Sequence, residues 1–206
     1  MDQDIIFNKL NVSRETLSRL NQYKDLVLSE NKKINLISSK SAENFIERHI
    51  IDCVQIIDFI DINSKTCTDL GSGAGLPGIA LAILLSDRNA DIKMNLYEKS
   101  YRKSNFLRFV SSELKLKTEI FQLDVFKTKK LSSGSVLSRA FKPLPLILDL
   151  VDKNFQKYTN LIIFMGKNGK EVLKNTFKDW DFEYKEKGSI TSNDSFILNI
   201  KNIKKK

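Results

Sequence analysis

Two hydrophobic periodicities follow one another along the chain, and the change lies near residue 63. Before it, apolar side chains recur three and four positions apart, which predicts amphipathic helices. The clearest such stripe consists of Leu17, Leu20, Tyr23 and Val27. Ser13 is placed to cap that helix, and Ser41 to cap another over residues 42–60. Residues 3–10 form a short apolar run that is also predicted to be helical.

These helices cannot bury their apolar faces by themselves, because isolated helices depend on tertiary packing for stability. We therefore expect residues 1–62 to form an N-terminal helical extension that packs on the rest of the chain. Residues 31–40 are polar around a short apolar insert and are expected to be an irregular connection.

From residue 63 onward, short runs typical of strands alternate with longer runs typical of helices. The predicted strands cover residues 65–70, 92–97, 118–121, 136–139, 160–165, 184–190 and 195–200. The predicted helices cover residues 76–85, 102–114, 145–155 and 170–178. This alternation predicts an α/β domain, one compact unit over residues 63–206, with a mainly parallel, doubly wound sheet. The last two strands lack a helix between them and should form an antiparallel hairpin turning at residues 191–194.

The composition shows that the protein is basic. The 206 residues include 34 Lys and Arg against 25 Asp and Glu, a net charge of +9, and 41% of them are hydrophobic. A basic globular protein suits an anionic partner such as nucleic acid. No apolar run is long enough to span a bilayer, and the first residues are acidic where a signal peptide is basic, so we expect a cytoplasmic protein. The basic end, residues 201–206, is expected to be a frayed terminus.

Metal and disulfide chemistry find little support. Cys53 and Cys67 lack the spacing of a metal or redox pair and lie in apolar surroundings, so they are expected to be reduced core residues. His49 is the single histidine. We predict no metal site.

The richest stretch is Asp69-Leu-Gly-Ser-Gly-Ala-Gly-Leu-Pro-Gly78, which joins the first predicted strand to a helix. Glycines let a backbone turn tightly and approach a ligand closely, and the N–H groups of the helix terminus are left free. The loop matches the spacing of a dinucleotide fingerprint, with Glu98 where a ribose partner belongs. A phosphate-binding P-loop is excluded, because no Lys-Ser/Thr pair follows. A pyrophosphate and the carboxylate of an amino-acid-derived cofactor both remain open.

Several segments, taken in order, narrow the choice. They are Asn35-Leu36, Arg48-His49-Ile50-Ile51-Asp52, the glycine loop, the helix from Arg102-Lys103 to Phe106-Leu107-Arg108, and Ser138-Arg139-Ala140-Phe141. The loop resembles the first motif of S-adenosylmethionine-dependent methyltransferases, and the combination resembles the ribosomal RNA small-subunit methyltransferase G family from about residue 20 to the final hairpin.

This resemblance implies a Rossmann-like class I methyltransferase fold, with a seven-stranded, mainly parallel sheet and an antiparallel last strand. It implies S-adenosylmethionine as cofactor, and methylation of nitrogen 7 of a guanine in the decoding-region loop of 16S rRNA. The implied partner is 16S rRNA or the small ribosomal subunit, and the implied oligomeric state is a monomer.

The resemblance also assigns roles to cofactor residues. Gly71, Gly73, Gly75 and Leu76 would pass under the methionine and ribose moieties; the competing interpretation is that the glycines only form a turn. Asp69 would bind the ammonium group, directly or through water, or would only fix the loop. Glu98 would accept hydrogen bonds from both ribose hydroxyls, or would be an ordinary solvated carboxylate.

Two later segments complete the expected cofactor site. In Asp124-Val125-Phe126, the aspartate would accept from the adenine amine and the backbone of the next two residues would contact the ring; alternatively Asp124 only begins a loop. Arg139 ends the fourth predicted strand, at the edge where ligands collect. It would pair with the methionine carboxylate, with a structural salt bridge as the competitor.

No catalytic base is predicted. His49 shares a helix face with Phe45 and Cys53, so we favour a packed histidine over a general base. Nitrogen 7 of guanine already carries a free lone pair, so no proton has to leave before methyl transfer. Alignment of the reactants suffices.

The candidates for rRNA contact are chosen by charge and rough placement. They are Arg48, Arg102, Lys103, Arg108, Phe141, Lys142 and Lys167. Each cation has a plain surface charge as its alternative, and Phe141 either stacks on a base or belongs to the core. The family often has Leu-Lys-Gly after the fifth strand, whereas this chain has Phe164-Met165-Gly166 with Lys167 one place later.

Two other function classes compete with this prediction. A nicotinamide-dependent oxidoreductase would use the same glycine loop, but the chain shows no second substrate domain or proton donor. A non-catalytic RNA-binding factor of ribosome assembly would explain the charge without using the cofactor site.

Overall fold

The architecture was analysed on a computed structural model that describes Phe7, residues 12–88 and residues 90–206. Apart from Phe7, which is buried, the helix predicted over residues 3–10 lies outside the described residues. The strands are β1 (Thr66–Leu70), β2 (Lys93–Tyr97), β3 (Thr118–Phe121), β4 (Leu131–Ser132), β5 (Ser135–Ser138), β6 (Phe155–Lys157), β7 (Asn160–Met165), β8 (Trp180–Gly188) and β9 (Phe196–Lys205). The longer helices are α1 (Arg14–Asn31), α2 (Gly78–Asp87), α3 (Tyr101–Glu113), α4 (Leu144–Asn154) and α5 (Gly169–Thr176).

Seven strands form one sheet in the order β3-β2-β1-β5-β7-β9-β8. The first five are mutually parallel, while β9 lies antiparallel to both β7 and β8. The predicted fold class is confirmed. The order reverses between β1 and β5, so their carboxyl ends open the crevice in which doubly wound sheets bind ligands.

The predicted boundaries of the first five predicted strands agree with the structure to within one residue. The predictions over residues 118–121 and 160–165 coincide with β3 and β7. The hairpin strands are longer than predicted, because β8 begins at Trp180 and β9 runs to Lys205. The expectation of a frayed basic end is therefore wrong: the exposed lysines of β9 flank a buried residue, Ile203. The small parallel pair β4–β6 was missed, since strands of two and three residues show no periodicity.

Alternate residues of the sheet supply two hydrophobic layers. Leu137 of β5 belongs to a core formed with α1, α2 and α3, whereas its neighbour Val136 belongs to a core formed with α4. Helix α2 is buried from Gly78 to Leu85, because α1 packs against it in addition to the sheet. Helix α2 and the loop before it are therefore held from both sides.

The region before β1 departs from the predicted pattern. Ser13 does cap α1, its hydroxyl accepting from Thr16 N at 3.0 Å. The continuous helix over residues 42–60 is wrong: the segment is split into Ser39–Ala42, a π-helical stretch Ile46–Ile51, Asp52–Val54 and a 3₁₀ turn Ile57–Phe59. Its first turn is capped by Ser38, whose hydroxyl accepts from Ser41 N.

A tertiary contact accompanies the irregular turn around residues 48–52. Asp52 N donates to His49 O instead of continuing the α-helical ladder, and Arg48 O accepts from the Arg139 side chain at 2.8 Å. Sequence periodicity cannot predict a hydrogen bond between a backbone carbonyl and a side chain that lies 91 residues further along the chain. No helix in the described part of the chain has the length and apolarity required to cross a membrane.

Candidate active site

The glycine loop is fixed by the end of strand β2. Both Gly71 N and Ser72 N donate to Tyr97 O, at 2.9 and 3.0 Å. Gly71 and Gly73 have φ values of +71° and +56°, in the left-handed region that favours glycine. The loop thus leaves β1, turns over the end of β2 and enters α2.

Phe141 lies directly on this loop. A side chain at Gly71 would overlap the Phe141 ring, so only glycine lets the aromatic ring lie against the backbone. The ring also lies 5.9 Å from that of Phe126, tilted by 35°. Between Arg139 and Phe141, Ala140 has a φ of +50°, which is a strained conformation for a residue with a Cβ. That turn lets Phe141 lie over the loop.

Glu98 joins two pieces of backbone around the site. Its Oε2 accepts from Gly73 N at 3.0 Å, and its Oε1 accepts from Ser100 N at 2.8 Å. Ser100 in turn caps helix α3, accepting from Lys103 N. A carboxylate has about four lone-pair sites, so Glu98 keeps acceptor capacity toward the cavity that it lines.

Asp69 and Gly75 differ from the sequence expectation, because neither lines the cavity. The Asp69 side chain is 1% exposed and points behind the loop, where Oδ2 accepts from Gly78 N at 3.1 Å. Its Oδ1 has no hydrogen-bond partner within the described part of the chain, and burial raises the pKa of Asp69 to about 7. Gly75 faces Ile79 and Leu107. These two residues shape the loop from below.

The segment after β3 forms the opposite wall. Asp124 Oδ1 accepts from Phe126 N at 3.1 Å and so begins a single 3₁₀ turn, Val125–Lys127. Asn154, buried at the end of α4, donates to the carbonyls of Val125 and Phe126 at 3.1 and 3.2 Å. Asp124, Val125 and Phe126 all line the cavity, and their backbone is held in place by a helix of the second core layer.

Sequence reasoning missed the wall that the N-terminal region supplies. Asn31 Oδ1 accepts from Leu36 N and Ile37 N, at 2.8 and 3.0 Å, and this turn reaches the cavity. Its lining residues from this region are Leu36, Ile37, Ser38 and Ser41. The Asn35-Leu36 pair already counted toward the family resemblance, and that was the available signal. The other lining residues that were not predicted as site residues are His49, Ser72, Ala74, Tyr97, Lys99, Leu123, Ala140 and Leu146.

Helix α1 also braces the loop directly. Tyr23 is fully buried, and its hydroxyl donates to Ala74 O at 2.8 Å. Burial raises the pKa of Tyr23 well above its ordinary value, so the phenol stays protonated and remains a donor. The glycine loop is thus hydrogen-bonded to an element that precedes the sheet.

Together these walls enclose a cavity of about 630 Å³ at the carboxyl edge of the sheet. This volume falls within the range of cofactor pockets. The walls offer backbone groups of a glycine loop, a carboxylate with spare acceptor capacity, an aspartate at a tight turn, and aromatic rings. The lining cations are Lys99, Lys103, Arg139 and Lys142. Such a cavity suits a ligand with a ribose, a planar base and a charged end.

Arg139 and His49 separate this cavity from a second one. The second cavity is about 750 Å³ and shares Ser41, His49, Arg139 and Ala140 with the first. Its further walls come from the helical segment after α1, the end of β7 and the β8–β9 turn. Two cavities that meet at a common wall can hold two reactants side by side.

His49 is packed as favoured from the sequence. It is 9% exposed, lies edge-on to Phe45 at 5.1 Å, and its Nδ1 is 3.2 Å from Arg139 Nη2. Burial, together with Arg139 and Arg48, lowers the pKa of His49 to about 4. The imidazole is therefore neutral at physiological pH and accepts from the guanidinium.

Comparison with known proteins identifies the family. A family model described as rRNA small subunit methyltransferase G (GidB) matches residues 16–200. The ribosomal RNA small subunit methyltransferase G of Pelagibacter ubique HTCC1062 is 54% identical over 198 residues, covering 95% of this chain and 93% of that protein. The protein of that name from Ruegeria sp. TM1040 is 32% identical over 197 residues, covering 96% of each.

The chain belongs to the rRNA small subunit methyltransferase G family. It is a methyltransferase, and S-adenosylmethionine is its cofactor. This decides the question that the glycine loop left open between a methyl donor and a nicotinamide nucleotide.

Solved structures agree on the fold. A mutant of MtNAS in complex with S-adenosylmethionine is similar with a TM-score of 0.57 and 13% identity, covering 93% of this chain and 76% of that one. The 16S rRNA methylase RmtB has a TM-score of 0.53 and 12% identity, covering 94% and 76%. At these identities the likeness shows a shared class I methyltransferase fold.

The candidates for rRNA contact are distributed unevenly around the site. Lys103, Phe141 and Lys142 line the first cavity, and Arg48 lines the second. The others lie outside both cavities: Arg102 and Arg108 are exposed on α3, and Lys167 is exposed after β7. Met165 and Gly166, where the family pattern departs, line the second cavity instead.

Proposed function

We propose that this methyltransferase methylates nitrogen 7 of a guanine in the decoding-region loop of 16S rRNA. The observation that carries the proposal is the pair of adjoining cavities at the carboxyl edge, one suited to the cofactor and one open to an acceptor base. The family assignment supports the rRNA substrate, and the net charge of +9 supports an anionic partner.

The first cavity is proposed to hold S-adenosylmethionine, which supplies an activated methyl group. Gly71, Gly73 and Leu76 would lie under the ligand, and Glu98 would use its remaining lone pairs on the ribose hydroxyls. Three further residues complete the proposed site: Asp124, Val125 and Phe126. The anchoring of their backbone by Asn154 supports a fixed surface for the adenine ring.

Arg139 is proposed as the cation nearest to the methionine carboxylate. It also forms the salt bridge with Asp52 that was considered as its competitor, with Nε 3.0 Å from Oδ2. Asp69 and Gly75 are proposed to act indirectly, by holding the loop. Their burial behind it supports this role.

The second cavity is proposed to admit the acceptor guanine. Its lining includes Phe164, Met165 and Phe196, together with Arg48 and several serine and threonine residues. Apolar surface can face a base while hydroxyls and a guanidinium meet its edge and phosphate. His49 is neutral with a pKa of about 4, and nitrogen 7 needs no base, so the chain's task is to align the base and exclude water.

The remaining basic residues are proposed to bind the rRNA backbone. Lys99, Lys103 and Lys142 line the first cavity, and the exposed Arg102 lies in the first turn of α3 beside them. Arg108 and Lys167 would extend this basic surface away from the cavities.

We also propose a monomer that acts in the cytoplasm, where ribosomes are found. In this proposal residues 1–62 form an extension of the methyltransferase domain 63–206. The hydrogen bond from Tyr23 to Ala74 O supports that arrangement, because it joins the extension to the cofactor loop.

The test is methylation of small ribosomal subunits and of naked 16S rRNA from cells that lack the gene. We expect one added methyl group per rRNA with labelled methyl donor, and mass spectrometry should place it on nitrogen 7 of a guanine. An rRNA whose modification map is unchanged by the enzyme contradicts the proposal. Binding of rRNA without any labelled product would support the assembly-factor alternative.

A loop variant tests the cofactor site separately. Gly73→Asp places a carboxylate near Glu98, which accepts from the Gly73 backbone, and like charges repel. Gly73→Asn is the matched control, because it has nearly the same volume and also tolerates a positive φ. We expect calorimetry to show lost S-adenosylmethionine binding in the aspartate variant and weaker binding in the asparagine variant. Wild-type affinity in Gly73→Asp would mean that the loop does not face the cofactor.

A further inference from the structure

Two sequence segments that marked the family resemblance meet around one guanidinium. Arg139 Nε donates to Asp52 Oδ2 at 3.0 Å, and Nη2 donates to Arg48 O at 2.8 Å. Nη2 also lies 3.2 Å from His49 Nδ1, and the guanidinium carbon lies 5.8 Å from the centre of the Phe164 ring. The side chain is therefore held in one orientation from several directions.

Asp52 is the centre of this arrangement. Its second oxygen, Oδ1, accepts from Gln55 Nε2 at 2.9 Å, Thr191 Oγ1 at 3.1 Å and Ser189 Oγ at 3.3 Å. With Arg139 that makes four donors, three of them on Oδ1 and one on Oδ2. Asp52 thus ties together the irregular helical segment, the end of β5 and the turn after β8.

The location of Arg139 relates the hydrogen bonds around Asp52 to the proposed reaction. Arg139 lines both cavities, so it stands at the boundary that a methyl group would cross in the proposed reaction. Asp52 lines only the second cavity, and each of its oxygens accepts from at least one protein donor. A group in that situation acts by orienting its neighbour.

We propose that Asp52 is a positioning residue for methyl transfer, which holds the Arg139 guanidinium at the boundary between the cofactor and the acceptor base. The inference rests on the proposed function. A free arginine side chain has several rotatable bonds, and the fixed hydrogen bonds to Asp52, Arg48 O and His49 remove that freedom before the reactants meet.

A purely structural ion pair is the alternative, and it makes different predictions. A buried pair is weak support for stability by itself, and its loss would lower the melting temperature without changing turnover in the protein that remains folded. A positioning role predicts lost turnover at temperatures well below unfolding. It also predicts that Asp52 has no effect once Arg139 is removed.

The experiment compares Asp52→Asn with wild type on small ribosomal subunits. We expect kcat to fall on the order of 10²-fold, as for a misplaced catalytic geometry, and S-adenosylmethionine to bind more weakly by calorimetry, because Arg139 is the proposed partner of its carboxylate. Asp58→Asn is the matched control, because Asp58 is an exposed aspartate six positions further along. That variant should keep wild-type kcat. A folded Asp52→Asn enzyme with kcat within about twofold of wild type overturns the proposal.

A double-mutant cycle separates positioning from an independent effect. If Asp52 acts through Arg139, then Asp52→Asn combined with Arg139→Gln should lose no more activity than Arg139→Gln alone. Additive losses would overturn the inference. A wild-type enzyme that yields no methylated rRNA would instead count against the proposed function.

A second variant covers the case in which Asp52→Asn fails to fold. The pair Ser189→Ala and Thr191→Val removes two donors to Oδ1 while the bond to Arg139 stays. Both hydroxyls also line the second cavity, so KM for the ribosomal subunits is measured together with kcat. We expect a several-fold fall in kcat with KM and cofactor affinity retained. Unchanged kcat in this folded variant would overturn the proposal as well.

Discussion

Glu98→Gln is the substitution that examines the cofactor loop most directly. The wild-type carboxylate accepts two backbone N–H groups, from Gly73 at 3.0 Å and from Ser100 at 2.8 Å. Glutamine has the same shape but replaces one oxygen with an NH₂ group, which is a donor only. One of the two backbone groups would then face a donor, and either Gly73 in the loop or Ser100 at the start of α3 must lose its partner.

The size of the effect follows from that lost bond. A hydrogen bond to a charged acceptor contributes about 1.5–3 kcal/mol, and about 1.4 kcal/mol corresponds to a tenfold change in an equilibrium constant. If the loss falls on the Gly73 side, the loop geometry that the ligand needs is disfavoured. We therefore expect S-adenosylmethionine to bind roughly 10- to 100-fold more weakly.

The assay is isothermal titration of the purified variant with S-adenosylmethionine, with thermal unfolding measured in parallel. Glu119→Gln is the control, because it removes the same charge from a surface pair with Lys93 that lies 2.5 Å apart. Surface pairs contribute about 0–1 kcal/mol, so its cofactor affinity should match wild type. A folded Glu98→Gln protein with unchanged affinity would refute the role given to Glu98.

Three further substitutions test the hydrogen bond from Tyr23 to the glycine loop, the buried carboxyl group of Asp69 and the proposed rRNA-binding surface. Tyr23→Phe removes the bond to Ala74 O, worth about 1 kcal/mol, and should lower Tm and weaken S-adenosylmethionine binding several-fold by calorimetry. The pKa of Asp69, raised to about 7, gives stability that is present at low pH and is lost as pH rises through that pKa. Asp69→Asn should flatten the fall of Tm between about pH 4 and pH 7. Arg102→Ala should weaken rRNA binding, and the slope of the logarithm of the binding constant against the logarithm of the salt concentration should become shallower by about one. An unchanged slope would mean that Arg102 does not contact the rRNA.

Much of the sheet could be predicted because short apolar strands between polar turns are visible in the local pattern of apolar and polar residues. The strands over 118–121 and 160–165 were placed to the residue. The helix over residues 42–60 failed for the opposite reason. Its apolar spacing is helical, but the segment folds as short α, π and 3₁₀ stretches, and within it Arg48 O accepts from Arg139, 91 residues away.

The residues of the site likewise divide into those that the sequence could place and those that it could not. Glu98 and Arg139 follow strand ends, so their place at the carboxyl edge could be read from order alone, and both line the cavity. Asp69 instead lies within β1, one residue before its end, and its side chain is buried behind the loop, where Oδ2 accepts from Gly78 N. The wall from Leu36 to Ser41 could not be foreseen, since it depends on how the N-terminal segment returns to the sheet.

Periodicity was enough for the fold class, and several short motifs in a fixed order gave the family resemblance and, through it, the kind of cofactor, because each motif can be recognised within a short stretch of chain. Three facts emerged only from the folded chain: Tyr23 braces the loop, Asp52 holds Arg139, and two cavities share a wall. The hydrogen bonds behind them join residues separated by 51 to 139 positions. Side-chain contacts over such separations in sequence depend on tertiary packing, which a local sequence pattern does not predict.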